Sequence, residues 1–491
     1  MKVIVVGAGI GGLATAVRLA SSGHQVSVFE SAGYPGGKLS SFEKQGFRFD
    51  RGPSLFTMPT LLEDLFRKAG KPIGNYFEYQ TLNESCRYFF ANGNELIAST
   101  HLSQLALEVE NKFKVPADVF LRHLDRSSFF YKTLAPVFLE VSLNRPRHLF
   151  KKDFFKALLR MPFLGLFSTM DGFNKKHLKN EQLVQFFNRY ATYNGSDPYQ
   201  APATLHIIPH LEHKLGTFFP KGGMVAITNA LHQLALDLGV EFQFNTRVEE
   251  VLVEEKKAVG IVTSGKIIQA DLVVSNVDIY YSYTNLLKAV PAPQRLIHQP
   301  KSSSALVFYW GIRKIFPKLG LHNVFFSADY KREFQTIKEG KNVFEDPTIY
   351  INITSKHNPK DAPEGMENWF VMVNVPNHQG QDWQTIQQSV KRNLIKRLSN
   401  VLGEDIESLI ATEHVWNPPE IESMTGSFAG ALYGNSSNNR MAAFLRHPNF
   451  SKKIKGLYFC GGSVHPGGGI PLCLQGAAIV ERCISEDYPH A

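Results

Sequence analysis

The sequence predicts an α/β fold: a discontinuous, parallel-sheet nucleotide-binding domain joined to a mixed-sheet domain and a helical region. Three observations carry that reading. Residues 2–30 run from an apolar strand through a glycine turn into a small-residue helix, then along a second strand that ends in an acid. A second strand, glycine loop and helix close the chain over 456–484. The chain's 491 residues exceed one ordinary core, so two or three substructures are expected.

The first run is Lys2-Val-Ile-Val-Val-Gly7-Ala-Gly9-Ile-Gly11-Gly12, followed by Ala16, Gly23, Val26, Val28 and Glu30. A lone GxGxxG is weak, but here it follows a buried parallel-type strand and opens a helix. Glu30 lies 18 positions beyond Gly12, near the usual ~20-residue separation. Gly7 permits the tight turn, and Gly9 lets the backbone approach a pyrophosphate. Gly12 and Ala16 let the helix pack close to the sheet, and the phosphates meet free N–H groups at the helix's positive end. Glu30 is placed to accept hydrogen bonds from ribose hydroxyls.

The continuation separates a flavin from a nicotinamide nucleotide. Pro35-Gly36-Gly37-Lys38-Leu39 follows the second strand, and Gly46-Phe-Arg-Phe-Asp50-Arg51-Gly52-Pro53-Ser54 comes next. This stretch resembles the FAD motif of the amine-oxidase-like flavoproteins, with a Rossmann-type domain. Lys38 stands where that family usually has Arg; it keeps the charge and loses the bidentate fork.

The final run is Leu457-Tyr-Phe-Cys460-Gly461-Gly462-Ser463-Val464-His465-Pro466-Gly467-Gly468-Gly469-Ile470-Pro471-Leu472. The helix expected over Leu472–Ile484 would aim its N-terminus at the flavin pyrimidine ring, where partial positive charge stabilises the reduced anion. With Phe219-Pro-Lys-Gly222-Gly223-Met224 and Ala270-Asp271 to Asp278, the chain resembles bacterial-type carotenoid (phytoene) desaturases over nearly its full length. Its Gly-Gly-Gly-Ile-Pro-Leu-Cys variant is most similar to the 1-hydroxycarotenoid 3,4-desaturase branch. The resemblance implies that Val248 lies by the adenine and Gly461, Gly462 and Ser463 hold the ribityl-phosphate. It further implies that Gly469, Ile470 and Pro471 carry the flavin end, and that Gly222, Gly223 and Met224 face the substrate. It implies FAD as cofactor, hydride transfer to flavin N5, a carotenoid substrate, and a quinone or oxygen as electron acceptor. His465 is the candidate for a base, with a backbone-shaping role beside Pro466 as the alternative. Cys473 is read as packing, with a reactive thiol as its alternative.

Element patterns divide the chain into 1–70, 215–290 and 446–491 for the FAD domain, 71–100 and 291–445 for a substrate-binding sheet domain, and 101–214 for a helical lid. Expected strands include Ser304–Trp310, Thr348–Thr354 and Trp369–Val375, with a helix over Trp383–Leu398.

Composition leaves two questions open. The 37 Phe and 17 Tyr fit either a thick core or an aromatic-lined tunnel and membrane-facing surface. The net charge of +9 suits nucleic acid or an anionic membrane. No nucleic-acid-binding signature accompanies it, so no nucleic-acid partner is expected. Residues 148–167 mix Lys and Arg with Phe150, Phe154, Phe155, Leu158, Leu159, Phe163 and Phe167. This fits an interfacial anchor or an ordinary packed amphipathic helix. No 18-residue apolar run exists, and the four cysteines show no CxxC spacing. The expectation is a cytoplasmic protein with reduced thiols, no metal, and peripheral attachment to the inner membrane. Competing readings are a carotenoid isomerase or oxygenase, another amine-oxidase-like flavoenzyme, and a Rab-escort-like binding protein without flavin chemistry.

Overall fold

The computed structural model describes residues 1–142, 144–145, 152–288, 290–439 and 446–489. A five-stranded parallel sheet runs in the order Leu457–Phe459, Leu272–Ser275, Lys2–Val6, Gln25–Phe29, Glu241–Gln243. Its strands come from three separated stretches, because both faces must be covered by intervening chain. Alternation along the first strand decides which cover goes where. Val3 and Val5 join the core formed with helices Ile10–Ser21, Val225–Asp237 and Ile470–Asp487. Ile4 and Val6 face the other way, onto Val251 and Ile261 of the antiparallel meander 248–269.

A seven-stranded sheet runs Ile410–Trp416, Ser304–Ile312, Glu367–Val375, Ile349–Ile353, His322–Phe325, Glu84–Phe89, Glu95–Ser99. Only the pairing of His322–Phe325 with Glu84–Phe89 is parallel. Leu306, Phe308 and Trp310 bury under the helix Trp383–Leu402. Ala305 and Val307 point to the opposite face, toward the interior of the molecule.

Helices Leu102–Phe113, Ala117–Leu134, Met170–Leu178 and Glu181–Asn188 pack around Phe113, Phe120, Phe186 and Phe187 against the end of this sheet. Many phenylalanines are therefore ordinary core. Others are exposed: on the helix Lys152–Arg160 and the turn after it, Phe155, Leu158, Leu159 and Phe163 face solvent, Leu159 at 78% and Phe163 at 72%. Residues 148–151 of the predicted anchor lie outside the described residues. No helix among those described is long and apolar enough to cross a membrane.

The short strand Tyr79–Thr81 pairs with Phe218–Pro220 outside the large sheet, where Phe56, Phe77, Tyr79 and Phe218 form an aromatic knot. One local expectation shifts. The last helix begins at Ile470, with Pro471 in its first turn, where proline costs no hydrogen bond.

Several histidines are buried and neutral. Burial pushes His206, His447 and His465 down to about 4, while a partly opposing case, the buried Glu333 carboxyl, is pushed up to about 7. The unfolded imidazoles protonate near 6.5, the folded ones not until about 4, so their stabilisation is complete above pH 6.5 and falls as pH drops toward 4. For His206 alone the loss is on the order of 3 kcal/mol. Urea unfolding at pH 7 and pH 5 should show a lower midpoint at pH 5; an equal or higher midpoint would refute this.

A candidate dinucleotide site opening on an apolar chamber

A cavity of about 1100 Å³ lies between the carboxyl ends of the parallel strands and the inner face of the seven-stranded sheet. Single small-ligand pockets span roughly 300–1,000 Å³, so this one has room for more than one occupant. Its two halves differ in chemistry.

One half is backbone-lined. Gly7, at φ 101°, turns the chain out of the first strand, and Gly9 and Gly11 open the first helix on the cavity. Glu30 ends the second strand; its Oε2 accepts from Ala8 N at 2.7 Å and its Oε1 from Ala32 N at 2.8 Å. Gly37, Lys38 and Leu39 line the same wall with Gly52, Pro53 and Ser54. Val248 closes one end, and Gly461, Gly462 and Ser463 come in from the last loop. Gly469, Ile470 and Pro471 bring the N-terminus of the last helix to it. Gly12 does not line the cavity. It packs inside, where an added Cβ would lie 2.1 Å from the Gly7 carbonyl oxygen.

The other half is apolar, with Leu134, Phe138, Leu205, Val307, Phe370 and Met372 on its walls. Polar groups interrupt it, among them Thr348, Tyr350, Asn374 and one charged cluster. Arg189, which lines the cavity, donates to both oxygens of Glu212 at 3.0 and 3.2 Å, and Tyr193 donates to the same carboxylate at 2.7 Å. Burial alone would raise the Glu212 carboxyl; Arg189 and His213 outweigh it and hold it at about 2.

Besides Gly12, four expected residues lie off the cavity lining. Gly222, Gly223 and Met224 do not reach the cavity but form the N-terminus of the helix Val225–Asp237. Asp50 caps it, accepting from Met224 N at 2.8 Å and Val225 N at 3.1 Å, and a Cβ on Gly223 would strike Arg48 and Asp50. The carboxylate satisfies N–H groups that the helix start leaves open. His465 is also turned away: its Nε2 donates to the Val141 carbonyl at 2.9 Å, and burial keeps the ring neutral, at about 4. Its ring packs on Phe138 of the cavity wall, which fits the backbone-shaping alternative. Its neighbour Pro466 lines the cavity instead.

Two other side chains are settled by burial. Lys38 Nζ donates to the Leu432 carbonyl at 2.8 Å, and burial lowers its pKa against the pull of Asp278. The Cys473 thiol lines the cavity, but burial pushes it up to about 11, so it stays protonated and packs.

Three residues escaped the sequence reading of the site. Asn276 wedges between the two glycine loops. Asp278 caps the short helix after it through Tyr280 N, at 2.9 Å. Both lie in the Ala270–Asp278 run, whose position just after a predicted parallel strand could have marked them. Arg446 lines the cavity and donates to the Gly462 carbonyl at 3.2 Å; its only signal was a lone Arg ahead of the last strand.

The geometry suits a dinucleotide flavin. Side-chain-free backbone meets a helix N-terminus, a carboxylate stands at the end of the second strand, and a Cβ on Gly469 would meet nothing within 4 Å, leaving room for a ligand. The apolar chamber gives such a cofactor a water-poor second ligand site. Fold and site together define an oxidoreductase built around a bound flavin nucleotide.

The chain matches the flavin containing amine oxidoreductases over residues 10–480 and belongs to that family; its cofactor is FAD. It is 47% identical over 483 residues to a 1-hydroxycarotenoid 3,4-desaturase of Flavobacterium sp. (strain P99-3), covering 98% of this chain and 99% of that one. It is 30% identical to a 4,4'-diapolycopene oxygenase of Methylomonas sp., covering 99% and 98% of the two chains. A solved wild-type putrescine oxidase shares the fold, with a TM-score of 0.64 at 14% identity, covering 100% of both chains. So does an oxidoreductase from Methanosarcina mazei, with a TM-score of 0.65 at 17% identity, covering 99% and 100%.

The substitution Gly12→Ala should push the first helix off the Gly7 turn. Purified protein should then carry less than a tenth of the wild-type flavin, read from the ratio of absorbance at about 450 nm to that at 280 nm. Full flavin content in that variant would refute the packing argument.

Proposed function

We propose that the protein is an FAD-dependent carotenoid desaturase acting on a long acyclic or monocyclic carotenoid, with the 3,4-bond of a hydroxycarotenoid as its target. The supporting observation is the apolar chamber joined to the flavin site, taken with a full-length relative named for that reaction. A polyene has no group that a polar pocket could hold, so its binding must come from apolar burial along its length. The oxygenase relative supports a second reading, in which a carbon is oxygenated rather than desaturated.

In this reading Glu30 holds the adenosine ribose and Val248 the adenine edge. The first helix, with Gly7, Gly9 and Gly11, holds the diphosphate. Gly37, Lys38 and Leu39 close over the cofactor with Gly52, Pro53 and Ser54, and Gly461–Ser463 carry the ribityl chain. Gly469, Ile470 and Pro471 set the last helix against the pyrimidine ring. The residues 1–70, 215–290 and 446–491 make up the cofactor domain, with 71–100 and 291–445 as the substrate sheet and 101–214 as the lid. FAD bound there supplies an acceptor for a hydride from an allylic carbon, the neighbouring carbon releasing a proton. The chain's part is to align the polyene and exclude water. A quinone or oxygen takes the electrons afterwards.

The basic helix 152–160, with its exposed Phe155, Leu158 and Leu159, is the attachment to an anionic inner-membrane surface on the cytoplasmic side. The double variant Leu159→Ser, Phe163→Ser should bind anionic vesicles at least tenfold more weakly in sedimentation at low salt. Unchanged binding would remove this surface from the proposal.

Expression in cells that make 1-hydroxylated acyclic carotenoids should yield a product with two fewer hydrogens and a longer-wavelength polyene spectrum. A product gaining oxygen would favour the oxygenase reading, and an unchanged carotenoid would overturn both.

A further inference from the structure

Arg446 is a buried charge without an opposite charge beside it. It is 4% exposed and lines the cavity. Its guanidinium donates to four neutral acceptors: the carbonyls of Tyr433, Gly462 and Asn435 at 3.0, 3.2 and 2.9 Å, and Asn194 Oδ1 at 3.1 Å. No carboxylate among the described residues pairs with it, and the remaining residues include no Asp or Glu. The other buried cations of the cavity wall each have a carboxylate near: Arg189 pairs with Glu212, and Asp278 partly offsets the burial of Lys38. Neutral carbonyls orient a guanidinium but leave its charge uncancelled, and such a group is stabilised by an anion brought to it.

Its position says which anion. The first helix, where a diphosphate would sit, meets the last loop at Gly461: a Cβ on Gly11 would lie 3.1 Å from Gly461 Cα. Arg446 grips the far side of that loop, at Gly462, and a Cβ on Gly467 would lie 3.4 Å from its Cζ. Its remaining partners, Asn194, Tyr433 and Asn435, belong to the substrate side of the molecule, and the first two line the cavity. The cation therefore stands at the junction of the two halves of the cavity, where a bound flavin ring would face the apolar chamber.

We propose that Arg446 is the counter-charge for the negative charge that the flavin gains on taking up a hydride, and that it thereby raises the reduction potential of the bound cofactor. A hydride brings two electrons and one proton, so a neutral oxidised ring acquires one negative charge; the second hydrogen of the substrate leaves as a proton. The inference rests on FAD as cofactor and not on the carotenoid reading, so the two fail separately.

The test is an anaerobic dithionite titration of the holoprotein against a reference dye, with no substrate present, comparing wild type, Arg446→Lys and Arg446→Met. Losing the charge should weaken binding of reduced relative to oxidised FAD at least tenfold, lowering the two-electron potential of Arg446→Met by ~30 mV or more. Arg446→Lys, which keeps the charge, should lose less than half of that. In the wild type the potential should change by ~30 mV per pH unit from pH 8 to pH 6, the tenfold-per-unit slope of one proton for two electrons. If Arg446→Met fails to fold, Arg446→Gln, which keeps hydrogen-bond donors and lacks the charge, takes its place and should show the same fall. Equal potentials in wild type and Arg446→Met, equal shifts in both variants, or a wild-type slope twice as steep would overturn the proposal. Weaker FAD binding at unchanged potential would assign Arg446 to the diphosphate and overturn it too.

Discussion

The site is organised around one asparagine and the glycines that surround it. Asn276 leaves the fourth sheet strand, donates its backbone N–H to Val6 at 2.8 Å, and fills the space between the first and last loops. Added Cβ atoms on Gly9, Gly11 and Gly461 would fall 2.8, 2.9 and 2.6 Å from its amide, and one on Gly12 would lie 3.0 Å away. Four glycines from opposite ends of the chain are thus short of a side chain for the same reason. Only backbone fits beside this amide, and only backbone at that distance leaves N–H groups free for a phosphate.

That wedge ties three separated stretches into one binding surface. The strand before Asn276 lies between the first strand and the last, and Cys460 N bonds to the Ser275 carbonyl at 3.0 Å. The last loop cannot drop away from the first helix without breaking this seam. The helix that follows then starts at Ile470, fixed against the first helix by Ala477 and Val480 in the shared core. A cradle without side chains is held rigid by strand pairing on one side and helix packing on the other.

Electrostatics separates the two halves of the cavity. The cofactor half is largely backbone with a few buried charges, and the substrate half is mainly apolar, with polar groups such as Arg189, Thr348, Tyr350 and Asn374 among its walls. Arg189 and Glu212 balance one another in a closed network with Tyr190 and Tyr193. The same low-dielectric surroundings keep the Cys473 thiol protonated and His465 neutral, so neither titrates near pH 7. Cofactor chemistry, not side-chain acid–base chemistry, is what such a chamber supports.

The sequence by itself determined the elements whose signal is local. Strand–glycine–helix runs at both ends, Glu30 at its fixed spacing, and the alternating strands of 304–310 and 369–375 all read directly, because side-chain period and glycine placement are properties of a short window. Most of the cofactor-half residues named from those windows do line one cavity. The tertiary structure alone decided what depends on partners distant in the chain. Met224 could not be seen to lie under Asp50, 174 positions earlier, nor His465 against Val141, 324 positions away. The number of phenylalanines likewise could not say which were core, which lined a chamber and which faced solvent, since a ring's place depends on what packs against it. Arg446 carried no motif at all. An unpaired buried cation is recognised only by the absence of an opposite charge around it, and that is a fact about three-dimensional neighbours rather than about any stretch of chain.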